Sequence, residues 1–75
     1  MMERTLLLRG LLEAMLSEEL RAIKGYEHLP RFRIVPTSDP EASPNWHLPE
    51  SVKDLLNERA LAILNTFQDR YQIGG

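Results

Sequence analysis

The prolines divide this chain more sharply than any other residue type. All five prolines of the 75-residue sequence lie between residues 30 and 49. Because proline lacks a backbone N–H and its ring clashes with the preceding helical turn, a regular helix does not continue through such a stretch. The segments on either side, up to Lys24 and from Ser51 onward, carry apolar residues at helical spacing. The sequence therefore consists of two helical segments and a proline-rich connection between them.

The first segment predicts an amphipathic helix over residues 3–24. Placed at about 100° per residue, its apolar side chains gather on one broad arc, with charged side chains opposite. The arc is wider than the roughly 100° stripe that one packing neighbour covers, so a second contact surface is expected on this helix. Gly25 is expected to end the helix in the left-handed conformation. The arc consists of Leu8, Leu11, Leu12, Met15, Leu16, Ala22 and Ile23.

Glu19 falls near the middle of this apolar arc. A buried carboxylate is costly unless it is paired, so one interpretation pairs Glu19 with Arg31 or Arg33. The other interpretation leaves the arc solvated at this point. We favour the second, because glutamate is almost never fully buried without a partner.

The segment after Pro49 predicts a second amphipathic helix, over residues 51–72. Its apolar residues recur at steps of 4, 4, 3, 4 and 4, which keeps them on one face. Ser51 followed by Asp54 resembles a capping box at the start of this helix, and Gly74 is expected to stop it. The apolar face consists of Val52, Leu56, Ala60, Ile63, Phe67 and Tyr71.

The connection contains two short strand signals separated by turn-forming residues from Pro36 to Pro44. Together they predict an antiparallel β-hairpin with a long mobile loop within residues 30–49. The predicted fold class is therefore α+β, with two helices flanking the hairpin in the order α-β-β-α. The alternative is an all-α helical hairpin with an extended proline-rich connection. The strand signals consist of Phe32 and Ile34 in the first strand and Trp46 and Leu48 in the second.

The size of the core favours self-association. A domain of this length buries only about 60% of the surface that its unfolded chain exposes, so its stability is marginal without a partner. We predict a single domain over residues 1–75 and expect a homodimer. Either the broad arc of the first helix packs against a second copy, or two hairpins pair edge to edge into a four-stranded sheet. The candidate interaction surface consists of Leu8, Leu12, Met15, Glu19, Ile23, Arg31 and Arg33.

Composition excludes several classes of protein. The chain has no cysteine, which excludes a disulfide scaffold and a thiolate metal site, and the cytoplasm is the expected compartment. Its first apolar run is broken by Arg9, Gly10 and Glu13, so no membrane span is expected. The formal net charge is −2, whereas nucleic-acid binders normally cluster Lys and Arg on one face, which argues against a nucleic-acid partner.

No residue pattern indicates catalysis. The two histidines, His28 and His47, lack the spacing of a metal motif, and no nucleophile is held beside them on a regular element. The four glycines do not group into a phosphate-binding loop. We therefore expect no catalytic, cofactor-binding or metal-binding residue, and no enzyme.

Three short motifs resemble those of small bacterial proteins of unknown function, some of them phage-associated. The resemblance covers about the last 45 residues, and it implies a hairpin followed by a helix. It implies no activity, and it transfers no functional residue. The motifs are Phe32-Arg33-Ile34-Val35-Pro36, then Asn45-Trp46-His47-Leu48 after an acidic loop, and finally Asp69-Arg70-Tyr71.

The leading functional hypothesis is a small non-enzymatic protein-interaction or regulatory module that forms a homodimer. The alternative is a nucleic-acid-associated regulator that uses Lys24, Arg31 and Arg33. A third hypothesis is a small enzyme or enzyme subunit in which one of the two histidines acts as acid or base.

Overall fold

A computed structural model of the protein describes residues 5–37 and 44–74, which fold into short strands and three helices. The predicted α+β class is confirmed, and the all-α alternative is wrong. Most of the predicted mobile loop, residues 38–43, lies outside the described residues. The elements are β1 (Thr5–Leu7), α1 (Arg9–Arg21), β2 (Val35–Pro36), β3 (Trp46–His47), α2 (Glu50–Lys53), α3 (Glu58–Arg70) and β4 (Tyr71–Ile73).

The hairpin prediction is confirmed, although its strands are only two residues long. The first strand was placed wrongly: it lies at Val35–Pro36, after the predicted Phe32 and Ile34. Strands β2 and β3 pair antiparallel, with Val35 opposite His47 and Pro36 opposite Trp46. Trp46 and Leu48 are buried and His47 is exposed, which is the alternation that an extended strand over a core produces. The hairpin therefore contributes its tryptophan to the core, as its sequence indicates.

A second sheet contradicts the predicted helix ends. Strand β1 pairs parallel with β4, with Thr5 opposite Tyr71 and Leu7 opposite Ile73. The Gly74 N–H continues the pairing by donating to the Leu7 carbonyl at 2.9 Å. Residues 5–7 and 71–72 were predicted to be helical, and Gly74 was expected to stop the second helix; both predictions were wrong. The pairing joins the two ends of the chain, and helical spacing within either end carries no information about it.

The helix boundaries also differ from those predicted. The first helix begins at Arg9 and ends at Arg21, and the second is divided into α2 and α3. The capping box was wrong, because Ser51 lies inside α2 and the side chain of Asn57 caps α3 by accepting from the Ala60 N–H at 3.0 Å. Asn57 satisfies an amide that a continuous helix would have bonded internally, so the helix restarts there.

The tyrosine Tyr26 holds this break in place. Its hydroxyl donates to the Leu55 carbonyl at 2.9 Å and accepts from the Asn57 N–H at 2.7 Å. One side chain from the turn after α1 thus bonds both sides of the junction between α2 and α3. This long-range contact explains why residues 54–57 leave the helical path despite their apolar spacing.

One continuous core fills the space between the helices and the hairpin. Helix α1 buries Leu12, Leu16 and Leu20 completely, at steps of four residues. No polar or charged residue of the described chain is buried. The core consists of Leu12, Leu16, Leu20, Ile23, Leu29, Ile34, Trp46, Leu48, Leu56, Ala60, Leu64 and Phe67.

Two side chains, from β3 and the residue before it, form hydrogen bonds with the backbone of β4 on its outer edge. The Asn45 carboxamide donates to the Ile73 carbonyl at 3.0 Å and accepts from the Ile73 N–H at 2.9 Å, so it bonds β4 as a neighbouring strand would. The buried Trp46 indole N–H donates to the Tyr71 carbonyl at 3.0 Å. The hairpin, α3 and the β1–β4 sheet are therefore joined by specific polar contacts as well as by the core.

Gly25 provides a prediction about the turn after α1. Its φ of 101° lies in the left-handed region, as expected, where a side chain is strained. The helix, however, ends at Arg21 with Ala22 as its C-cap, so the prediction that Gly25 ends it was wrong. We expect Gly25→Ala to lower the free energy of unfolding by about 1–2 kcal/mol. Gly10→Ala is the control, because Gly10 is helical and a Cβ there meets no atom within 4 Å. Urea denaturation followed by far-UV circular dichroism measures both, and an equal response of the two variants would contradict the prediction.

Candidate functional site

Helix α1 and its two cap residues carry a second, mostly apolar stripe that lies largely outside the core. It lies about 100° around the helix from the buried stripe, given a turn of about 100° per residue. Its members follow steps of 3, 4, 3 and 4, the spacing of a helix-packing seam. Leu8 and Leu11 on this stripe are 67% and 49% exposed. We name as the outer stripe Leu8, Leu11, Met15, Glu18 and Ala22.

The outer stripe runs into a groove between α1 and α3. The groove encloses about 730 Å³, and its apolar side chains include the partly buried Met15 and Ile63. The rings of Phe67 and Tyr71 contact each other beside it, with centroids 5.3 Å apart. The residues that line the groove are Met15, Glu18 and Glu19 on α1, Arg59, Ala62, Ile63, Thr66, Phe67 and Arg70 on α3, and Tyr71.

The two walls of this groove have opposite charges. The α1 wall carries Glu18 and Glu19, and the α3 wall carries Arg59 and Arg70. All four side chains are exposed, and among residues 5–37 and 44–74 the only ion pair within 4 Å joins Arg9 and Glu13. The groove is therefore apolar at its base, acidic on one side and basic on the other, with its charges not paired to one another.

The edges of the hairpin are closed to strand addition. The Thr37 N–H donates to the Asn45 carbonyl at 3.0 Å, so the alternation of an antiparallel pair directs the bonding groups of Pro36 and Trp46 outward. Pro36 has no N–H to offer, and the Trp46 carbonyl already accepts from Gln68 Nε2 at 3.2 Å. An edge proline and an edge carbonyl that is already bonded are both typical of sheet edges that do not pair with another chain.

The edge of β1 is different. Because Leu7 bonds toward β4, the parallel alternation directs the backbone groups of Leu6 to the outer side. The side chain of Leu6 is 66% exposed. The strand has only three residues, Thr5–Leu7, and so offers a short edge.

A second groove, of about 610 Å³, lies on the other side of α1 and is lined by Gly10, Ala14, Arg31 and Phe32 among others. Two of its charged side chains bond to the backbone of the connection. Glu13 Oε1 accepts from the Ile34 N–H at 2.7 Å, and Arg21 donates to the Leu29 carbonyl at 2.9 Å. These contacts fix the path of the connection along α1, which is a structural role.

The structure separates the seven predicted interaction residues into three groups. Leu12 and Ile23 belong to the core of the chain itself, at 0% and 7% exposure, so they do not reach a partner's surface. Arg31 and Arg33 are exposed on the connection. The remaining three, Leu8, Met15 and Glu19, lie together on the outer face of α1, and Glu19 is exposed, as we favoured.

Sequence reasoning missed the α3 wall of the groove. Ile63 was assigned to the core face of the second helix, and it is only partly buried. Arg59 lies four residues before Ile63 and Arg70 lies seven residues after it, so all three share one face of the helix. That face points away from the buried Leu64. That spacing was available in the sequence, but the apolar face was taken as one stripe.

Within residues 5–37 and 44–74, the residues that could carry chemistry do not converge. His28 and His47 are exposed, one in the connection and one on β3. Within the described ranges, no three His, Asp or Glu side chains are grouped so that they could hold a metal ion. In the same part of the chain, no helix combines the length and apolar character needed to cross a bilayer.

Comparison with known proteins adds no relative. Neither the protein-family models, nor the curated proteins, nor the solved structures include a match to this chain. Its function is therefore inferred from the geometry of the chain itself.

Proposed function

We propose that this protein is a small non-enzymatic interaction module that forms a homodimer through the outer stripe and the groove. The observation that carries the proposal is the exposure of Leu8 and Leu11 at 67% and 49%, in line with Met15 at the groove. Large apolar side chains aligned at 3–4 spacing favour packing against another helix. Contiguous exposed apolar surface of this kind marks interaction sites in proteins that fold independently.

Two further features support the α1 surface over the hairpin as the contact. The hairpin edges are closed by Pro36 and by the bond from Gln68 to the Trp46 carbonyl, which disfavours a four-stranded sheet between copies. The groove beside α1 already provides an apolar base for side chains from a partner. The surface has the composition of a packing face, and no group of side chains on it resembles a catalytic constellation.

Sedimentation equilibrium from micromolar to millimolar concentration tests the proposal. We expect a concentration-dependent dimer, and we expect Leu11→Glu to shift the protein to monomer because it places a charge in the apolar seam. Leu55→Glu is the matched control: Leu55 is 54% exposed and lies outside α1 and α3, so the dimer should persist.

Circular dichroism of both variants separates loss of association from loss of folding. A wild-type protein that stays monomeric at millimolar concentration would overturn the proposal. Equal dissociation of the two variants would also contradict it, since the effect would then not depend on the outer stripe.

A further inference from the structure

We infer that the homodimer has one arrangement, in which α1 of each copy packs over α3 of the other, with the two-fold axis running along the groove. This inference rests on the proposed function and specifies its partner surface. Its basis is the distribution of charge: the α1 wall of the groove carries only acidic charged residues, and the α3 wall carries only basic ones.

A symmetric interface between two copies uses the same surface on both, and two orientations bring the grooves face to face. When the two-fold axis runs across the groove, α1 lies over α1 and α3 over α3. Glu18 and Glu19 of one chain then face the same two residues of the other chain, and the arginines likewise face arginines. When the axis runs along the groove, each acidic wall faces the basic wall of the other copy.

The second orientation is favoured because juxtaposed like charges disfavour an interface, whereas opposite charges fix its register. The charges are available for this role. Glu18, Glu19, Arg59 and Arg70 are exposed, and within residues 5–37 and 44–74 none of them forms an ion pair within 4 Å. The apolar base, with Met15 and Ile63, would be covered by the same approach of the two copies.

Charge reversal of each wall tests the arrangement. The α1-reversed variant carries Glu18→Lys and Glu19→Lys, and the α3-reversed variant carries Arg59→Glu and Arg70→Glu. Each alone makes both walls of the groove alike in charge. We expect the dissociation constant of each homodimer to rise by about tenfold or more at low salt.

The two reversed variants should restore each other. Mixed in equal amounts they should form a heterodimer, because each acidic wall again faces a basic one, and a single chain with all four substitutions should regain the homodimer. Recovery in either case also shows that the variants fold. The affinity of the wild type should fall as salt is raised from about 0.05 to 0.5 M, over which screening shortens the range of charge interactions.

A control separates this effect from a change in total charge. Asp54→Lys with Asp69→Lys alters the net charge as much as the α1 reversal does, at exposed positions outside the groove. We expect this pair to leave the homodimer intact. Sedimentation equilibrium measures all of the variants and the mixture under the same conditions.

The possible results distinguish the two proposals. A monomeric wild type would contradict the proposed function and this arrangement together. A wild-type dimer that neither single-wall reversal weakens would contradict the arrangement alone. If α1 packed over α1, like charges would face each other in the wild type and in each reversed variant, so reversal would have little effect. Weakening without recovery in the mixture or in the four-substitution chain would also overturn the arrangement.

Discussion

Replacing Trp46 with alanine is expected to remove a large part, or all, of the free energy of unfolding in water at room temperature. Trp46 is completely buried and is among the largest side chains of the core. Truncation of a buried tryptophan to alanine costs about 3–5 kcal/mol, while the stability of a domain of this size is about 4–11 kcal/mol. The substitution therefore removes much or all of the margin.

The position of Trp46 makes the loss larger than burial alone suggests. Its indole N–H donates to the Tyr71 carbonyl, and the residue stands between the hairpin and β4. Removing the ring leaves that carbonyl without its indole donor and opens a cavity where the hairpin, α3 and β4 meet. We expect unfolding to be monitored best by far-UV circular dichroism, because the chain has a single tryptophan and the variant has no indole fluorescence.

Two further variants separate packing from hydrogen bonding at this position. Trp46→Phe keeps most of the apolar ring but removes the donor, so we expect a loss of about 1–3 kcal/mol. His47→Ala changes the exposed neighbour on the same strand and should alter stability by less than about 0.5 kcal/mol. A fully folded Trp46→Ala protein with the urea midpoint of the wild type would show that the indole does not support the core.

The parts of the fold that could be predicted from the sequence are those with local signals. Helical spacing located most of α1 and α3, and alternation around Trp46 located the buried side of the hairpin. The β1–β4 sheet could not be found in this way, because Thr5 pairs with Tyr71 at the opposite end of the described chain. Strand pairing of this kind is selected by the tertiary structure and overrides the helical preference of the chain ends.

Side-chain contacts with backbone set the boundaries that were predicted wrongly. Asn45 directly precedes β3, and its carboxamide completes the edge of β4 through Ile73. Asn57 and Tyr26 interrupt the second helix by bonding its backbone at the junction. Each contact depends on a partner distant in sequence or on a competition between caps, so residue spacing alone does not specify it.

The candidate site could be predicted in part. The excess width of the apolar arc indicates more apolar surface than the core covers, and Leu8 and Leu11 are exposed in the structure. That a partner contacts this surface stays a prediction. The arc did not show which leucines fill the core, because Leu12 and Leu16 lie within the same broad sector as Leu8 and Leu11. The hairpin and α3 cover one side of the arc, and their position in the fold decides which leucines are buried.

Two leucines of α1, one in the core and one on the outer stripe, provide the strongest test of which side of the helix the core covers. Both receive the same substitution. Leu16 is completely buried, whereas Leu11 is 49% exposed on the outer stripe. We expect Leu16→Ala to lower the free energy of unfolding by about 2–5 kcal/mol, because it removes buried apolar contacts and leaves a cavity. Leu11→Ala should change it by less than about 0.5 kcal/mol, the usual range for surface substitutions.

The comparison must be made below the concentration at which dimers form, because binding to the folded state adds apparent stability. Urea denaturation of both variants in dilute solution measures the stability of the single chain. At high concentration, Leu11→Ala should lose the extra stability that association gives the wild type, since it shortens the apolar seam. A large loss for Leu11→Ala in dilute solution would place Leu11 in the core of the single chain, and the outer stripe would then not be a surface for a partner.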